Sequence, residues 1–277
     1  MYDAHAGKRL VINENNEGAG IPREKFMTQA KKTERVALIV GAADEIVEAI
    51  ALRFAAQGTK VALCGGAEDR LNAVAARIKK DGGQALAAPV NAADPQAVKA
   101  CVEFVIQNFG KIDILVNSPA EPAGFPLSKL SAEDFAASVN TILEAQCHFM
   151  RETVPGMRSN GYGRVINIGS LAYLGNPRGA NVAAAQAGLF GLIRSVALEA
   201  GREGVTVNSV IKGDIENSSM SEEERGKISK GIPVRRMGTP ADIANAVGFL
   251  AGNSSKYVTG QTLFVCGGKS AKYSMSV

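Results

Sequence analysis

The 277-residue chain has the amino-acid composition of a globular protein. Hydrophobic residues make up 46% of it and charged residues 21%, which excludes intrinsic disorder of the whole chain. The net charge of +4 is spread without a basic block, so a nucleic-acid surface is not expected. Because the sequence has neither a run of about 18 apolar residues nor a leader pattern, we predict a cytoplasmic protein that does not span a membrane.

The cysteines do not follow a metal-binding or redox spacing. Cys64, Cys101, Cys147 and Cys266 lie far apart, and the chain has only two histidines to join them. We therefore expect no metal site and interpret all four cysteines as reduced thiols of the core.

The first 33 residues differ in character from the rest of the chain. They are polar and rich in turn-forming residues, as in 13–20, and they show no hydrophobic period. We predict a flexible N-terminal extension over residues 1–33, with a partner-binding arm as the alternative. A single domain is expected over residues 34–277.

Short apolar runs alternate with helical patterns from Val36 onward. Asp94-Pro95 is typical of a helix start, and Ser131 and Thr239 begin patterns that resemble capping boxes. Seven buried strands separated by helices predict an α/β fold, a doubly wound parallel sheet of the Rossmann type with helices on both faces. The predicted strands are 36–40, 60–64, 85–90, 112–116, 165–168, 205–210 and 262–265, and all but the last precede a helical segment.

Three motifs at the ends of predicted strands carry a family resemblance. Val40-Gly41-Ala42-Ala43-Asp44-Glu45 follows the first strand, Asn117-Ser118-Pro119-Ala120 follows the fourth, and Asn167-Ile168-Gly169-Ser170 ends the fifth. With these motifs, residues 32–269 resemble the short-chain dehydrogenase/reductase family, and within it the 3-oxoacyl-carrier-protein reductases. The resemblance implies an NAD(P) cofactor and a catalytic set of Asn, Ser, Tyr and Lys.

The glycine-rich turn of the family is altered after the first strand. Gly41 is retained, but Glu45 and Val47 stand at the other two glycine positions. With Asp44 and Glu48, Glu45 brings negative charge to the first turn of a helix, where the amides would otherwise bind a pyrophosphate. The sequence therefore predicts that this turn does not bind the cofactor's phosphates.

The remaining cofactor positions are only partly retained. By position, Asn91 and Asn117 are vestigial cofactor-binding residues, and Pro119 stands beside the expected ribose. Gly65-Gly66 follows the second strand, where the family has an acid for the ribose or a base for its phosphate. We expect no cofactor in this chain.

The catalytic set of the family is not intact. Asn140 and Ser170 match its Asn and Ser, whereas Val182 stands at the Tyr position and Gln186 at the Lys position. Valine has no proton to donate, and general acid catalysis typically contributes about 10² to 10⁴ in rate. Tyr173 is the best replacement donor by proximity, although the residue four positions later is a proline.

The pattern favours a non-catalytic subunit of a hetero-oligomeric dehydrogenase. The resemblance implies pairing through the helices near 132–158 and 180–201 and the last strand, in a dimer or tetramer with an active paralogue that binds NAD or NADP. The second helix carries an apolar set for this contact, part of which could instead face the domain's own sheet. That set is Leu189, Phe190, Leu192, Ile193 and Val196.

Two other functions stay open at this stage. One is an active NAD(P)-dependent carbonyl reductase with atypical residues, acting on a hydroxyacyl or oxoacyl substrate. The other is a regulatory protein that binds a ligand in the same cleft. The polar segment 212–238, at the position of the family's substrate lid, does not identify a substrate.

Overall fold

The computed structural model describes residues 34–41 and 43–274, apart from the side chains of 272–274. The predicted extension over residues 1–33 lies outside this part of the chain. Within residues 34–274, the structure shows an α/β domain built on one sheet.

The sheet contains seven parallel strands in the order β3-β2-β1-β4-β5-β6-β7. Chain connections change direction between β1 and β4, which is the topology of a doubly wound sheet. The predicted fold class is therefore confirmed. The strands are β1 Val36–Gly41, β2 Lys60–Gly65, β3 Ala85–Pro89, β4 Ile114–Ser118, β5 Gly163–Ser170, β6 Val205–Lys212 and β7 Thr262–Val265.

Helices cover both faces of this sheet. On one face α3, α5 and α6 pack over a core that contains Phe149 and Leu189, and on the other α1, α2 and α8 pack around Phe54 and Leu71. The helices are α1 Glu45–Ala56, α2 Glu68–Lys80, α3 Pro95–Phe109, α4 Ala132–Val139, α5 Ala145–Ser159, α6 Ala180–Ala200, α7 Glu222–Ser229, α8 Pro240–Ala251 and α9 Lys269–Ser274. The short helix α9 corrects the expectation that the last strand precedes no helix.

The predicted helix starts are confirmed by their capping bonds. The Asp94 carboxylate accepts from the Gln96 and Ala97 amides, and the hydroxyl of Ser131 accepts from the third amide of α4. Thr239 and Asp242 form a complete capping box. Arg236 and the Thr239 amide lower the pKa of Asp242 to about 2, so this carboxylate keeps its stabilising charge until the pH falls through that value.

The long helix predicted near 132–158 is continuous but not regular. A π-helical turn over Asn140–Glu144 separates α4 from α5, and Asn140 begins it. In α6, Leu189 and Ile193 are buried in the domain's own core, which agrees with the alternative that part of the apolar set faces the sheet and not a partner. Phe190, Leu192 and Val196 are partly exposed.

The segment Ala180–Glu203, which includes α6, is long and apolar enough to cross a membrane by length and composition alone. Its buried residues, including Val182 and Ile193, pack in the core beneath the sheet. Core helices of globular proteins pass the same test of length and composition, and 39% of the apolar window is buried here.

The cysteines are free, but they do not share one environment. Cys64, Cys101 and Cys266 are buried, whereas Cys147 on α5 is exposed. The prediction that all four belong to the core was wrong for Cys147, because this side chain points away from the sheet.

Neighbouring strand ends approach each other closely at Gly65. A β-carbon on Gly65 would overlap the carbonyl oxygen of Gly41, whereas one on Gly66 would meet nothing within 4 Å. We predict that Gly65→Ala lowers the free energy of unfolding by roughly 1 to 3 kcal/mol, the usual range for overpacking, and that Gly66→Ala leaves it nearly unchanged. Urea denaturation of both variants measures the difference, and equal midpoints would contradict this packing.

Candidate functional site

The carboxyl ends of four adjacent strands form one edge where the predicted site residues meet. Gly41 ends β1, Asn117 lies near the end of β4, and Ser170 ends β5. In register, Asn117 lies opposite Val40 and Asn167, and Ser170 lies opposite Lys212 on β6. This edge is where doubly wound folds bind ligands, so the sequence prediction of the site's location agrees with the topology.

The first turn of α1 is capped from within the chain. The Asp44 carboxylate accepts from the Val47 amide at 2.9 Å, and Glu45 and Glu48 add two more carboxylates to the turn. Glu48 forms an ion pair of 2.6 Å with Arg77 on α2. One of the amides that a helix N-terminus could offer to a ligand anion is thus bonded to a protein carboxylate.

Glu45 reaches the segment that follows β6. Its Oε1 accepts a hydrogen bond of 2.8 Å from the backbone amide of Ser218. The side chain of Ser218 and then its backbone amide, with a smaller effect of Arg225, lower the pKa of the Glu45 carboxyl and favour its charged form. The sequence identified Glu45 as a bulky acid at a glycine position but did not predict its partner 173 residues away.

A cavity of about 760 Å³ lies beside this turn, beyond the ends of β1 to β4. Its lining includes Gly66 and Asn91, which follow β2 and β3, and Asn117 and Pro119 at the end of β4. The exposed Asn91 accepts from the Ala93 amide at 3.2 Å, whereas the buried Asn117 donates to the Asn167 Oδ1 at 2.8 Å. Gly41, Asn91 and Asn117, which the sequence predicts as vestigial cofactor-binding residues, therefore line one cavity. The Asn117 Nδ2 has a protein partner, whereas its buried Oδ1 has none among the described residues.

The four catalytic positions of the family are found near the end of β5 and on the helices that flank it. Ser170 is almost buried, and its hydroxyl accepts from the Ala172 amide at 3.3 Å. Gln186 is buried, and its Oε1 accepts from the Ser170 amide at 3.4 Å. Val182 is 5% exposed and belongs to the core, and Asn140 is exposed at the π-helical turn.

Tyr173, the replacement proton donor predicted by proximity, packs against other aromatic rings. Its ring centroid lies 4.5 Å from that of Phe190 and 6.2 Å from that of Phe264, in an aromatic cluster beside the edge strand. Burial raises the pKa of this phenol, with a smaller effect of Cys266. A donor with a raised pKa is poorly matched to proton transfer near neutral pH.

A second charged contact crosses the edge above β5. Lys212 Nζ lies 3.5 Å from the Glu121 Oε1, which joins the end of β6 to the loop after β4. Neither residue was predicted from the sequence as part of the site. The signal that could have found them is that residues of opposite charge follow the apolar runs of two strands that flank a third.

The described part of the chain contains no group of three or more His, Cys, Asp or Glu side chains arranged to hold a metal ion. The two ion pairs nearest the edge, Lys212 with Glu121 and Lys269 with Asp214, each use a cation and a single carboxylate. The carboxylates here bond to cations and amides of the protein.

Sequence comparisons place the chain among dehydrogenases. Residues 41–270 match the family model described as enoyl-(acyl carrier protein) reductase. The chain is 50% identical over 244 residues to (2S)-[(R)-hydroxy(phenyl)methyl]succinyl-CoA dehydrogenase subunit BbsC of Thauera aromatica, covering 88% of this chain and 97% of that one. It is 36% identical over 239 residues to subunit BbsD of the same organism, covering 85% and 96%.

Two further relatives agree with this placement. The 3-oxoacyl-[acyl-carrier-protein] reductase FabG of Staphylococcus aureus is 35% identical over 242 residues, covering 86% of this chain and 98% of the relative. The crystal structure of an NAD+-bound xylitol dehydrogenase superposes with a TM-score of 0.81 at 26% identity, covering 86% and 100%. With the sheet order and the site geometry described above, these matches show that the chain belongs to the short-chain dehydrogenase/reductase family.

Proposed function

We propose that this chain is a non-catalytic subunit of a hetero-oligomeric short-chain alcohol dehydrogenase. Its partner is a catalytically complete paralogue that binds NAD or NADP and oxidises or reduces a hydroxyacyl or oxoacyl substrate, such as a CoA thioester. The observation that carries the proposal is Val182, a core side chain at the position of the proton donor. The buried Gln186 beside Ser170 supports it, because an amide supplies no charge to activate a phenol.

The first turn of α1 does not fit the phosphates of a dinucleotide. Asp44 is bonded to the Val47 amide, and the Glu45 carboxylate lies across the turn to Ser218. A pyrophosphate there would meet like charges, each typically contributing 0.3 to about 1 kcal/mol when exposed. We therefore expect no NAD(P) in this chain, and we assign no reaction step to it.

The relatives support a role in a complex. One is named as subunit BbsC and another as subunit BbsD of a dehydrogenase for (2S)-[(R)-hydroxy(phenyl)methyl]succinyl-CoA. Identity is 50% to the first and 36% to the second, so the chain is more similar to one subunit than to the other. We infer that it occupies the first subunit's place in an assembly of two related chains.

The surface offers apolar side chains for such an assembly. Leu263 and Phe264 are exposed on β7, which is an open edge of the sheet, and Phe249 is exposed on α8. Leu198 on α6 is 85% exposed. Exposed edge strands with apolar side chains are usually covered, and in a two-fold contact a related chain can replace one copy with little change of surface.

A ligand-binding protein is the second candidate, and the cavity of about 760 Å³ favours it. Cavities of this size are typical of small-molecule sites. In that case the isolated chain would bind a small molecule without a partner, whereas the first proposal requires the paralogue for activity.

Restoring the proton donor alone should not create an enzyme. The double variant Val182→Tyr with Gln186→Lys supplies the missing Tyr and Lys, but the carboxylates at the first turn of α1 remain. We predict no measurable carbonyl reduction in an NAD(P)H absorbance assay, with circular dichroism to verify that the variant folds. Appreciable turnover by this double variant would show that the cofactor turn is functional.

Activity of the assembly should depend only on the partner's catalytic residues. In co-expressed subunits, replacing the partner's catalytic Tyr should lower kcat by about 10² to 10⁴, the usual contribution of a general acid. Ser170→Ala in this chain should leave kcat and KM unchanged. A loss of activity on Ser170→Ala, with the assembly intact by size-exclusion chromatography, would favour an active site in this chain.

A further inference from the structure

The segment after β6 is tied to its surroundings by backbone hydrogen bonds, such as that of the Glu216 amide with the Gly238 carbonyl at 2.9 Å, and by charged side chains. Lys212, the last residue of β6, pairs with Glu121 at 3.5 Å, and the Ser218 amide donates to Glu45 at 2.8 Å. Between them, Asp214 forms a contact of 2.7 Å with Lys269 at the start of α9. We call residues 212–218 the crossing segment.

The contacts of Glu45 with Ser218 and of Glu121 with Lys212 lie near the cavity. The cavity is lined by Gly41 and Ala120 but not by Glu45, Glu121 or Ser170. Gly41 lies four residues before Glu45 and Ala120 directly precedes Glu121, so each contact is made by a residue close in sequence to one that lines the cavity.

The hydrogen bond from the Ser218 amide to Glu45 resembles the contact that an amide would make with a bound phosphate. An anionic oxygen at the N-terminus of the first helix accepts from an amide of the crossing segment. A phosphate group held at the same turn would present the same kind of acceptor. Here the anion belongs to the protein, so the contact is made without any ligand.

We propose that Glu45 is a built-in latch: through its bond to the Ser218 amide it holds the end of the crossing segment against the first turn of α1 in the ligand-free chain, while the Lys212–Glu121 pair fixes the start of that segment. The latch makes the ordering of this segment independent of cofactor. The latch concerns the conformation of the isolated chain, and it does not require the chain to be a subunit of a complex.

Glu48 provides a matched control for Glu45. Both are acids in the first turn of α1, but Glu48 pairs with Arg77 on α2 and not with the crossing segment. The changes Glu45→Gln and Glu48→Gln remove the same charge from the same turn. A difference between these variants therefore isolates the bond to Ser218 from the general charge of the helix end.

Hydrogen–deuterium exchange of the full-length protein tests the latch. We expect the Ser218 amide to exchange roughly tenfold faster in Glu45→Gln, the scale of a lost charge-assisted hydrogen bond, and at the wild-type rate in Glu48→Gln. The amides of Gly213 and Glu216, which donate to Val265 and Gly238, should stay protected in both variants. Glu45→Gly with Glu121→Gln should accelerate exchange of the Ser218 amide further, while peptides from β1 and β5 remain protected.

Equal exchange of the Ser218 amide in Glu45→Gln, Glu48→Gln and the wild type would overturn the latch. So would faster exchange that also appears in β1 and β5, since that reports general destabilisation. The same measurement on purified chain without partner separates this inference from the proposed function, because neither result depends on catalysis.

Discussion

A helix N-terminus has unpaired amides and partial positive charge, and in a doubly wound sheet the first helix directs this end at the cleft. In this chain Asp44 caps that end and Glu45 extends from it to Ser218. The end is therefore neutralised by the protein itself. The proposal that this chain binds no dinucleotide rests on this arrangement together with Val182 at the donor position.

The residues that differ from the family's catalytic set do not disturb the packing of the core. Val182 replaces an ionisable residue with an apolar one and packs with Leu189 and Ile193, so the change is compatible with folding. Gln186 is buried but bonded to the Ser170 amide. Because each substitution leaves buried groups packed or paired, the fold and its apolar surface can be retained without the family's chemistry.

The fold could be predicted from the sequence because buried parallel strands are continuous apolar runs, and capping residues such as Asp94 and Thr239 act locally. The retained and altered positions of the site followed from motif spacing. The contacts of Glu45 with Ser218 and of Glu121 with Lys212 could not be predicted, since they join residues distant in the chain and depend on loop conformation. The exposure of Cys147 was missed because its orientation on α5 depends on how that helix packs on the sheet.

Nucleotide stoichiometry of the assembled dehydrogenase tests the central claim, which is that one of two related chains binds no cofactor. Native mass spectrometry of the co-expressed assembly with saturating NAD(H) or NADP(H) counts the bound dinucleotides directly. The account predicts one dinucleotide for each partner chain and none for this chain. One dinucleotide for every chain of either kind would contradict it.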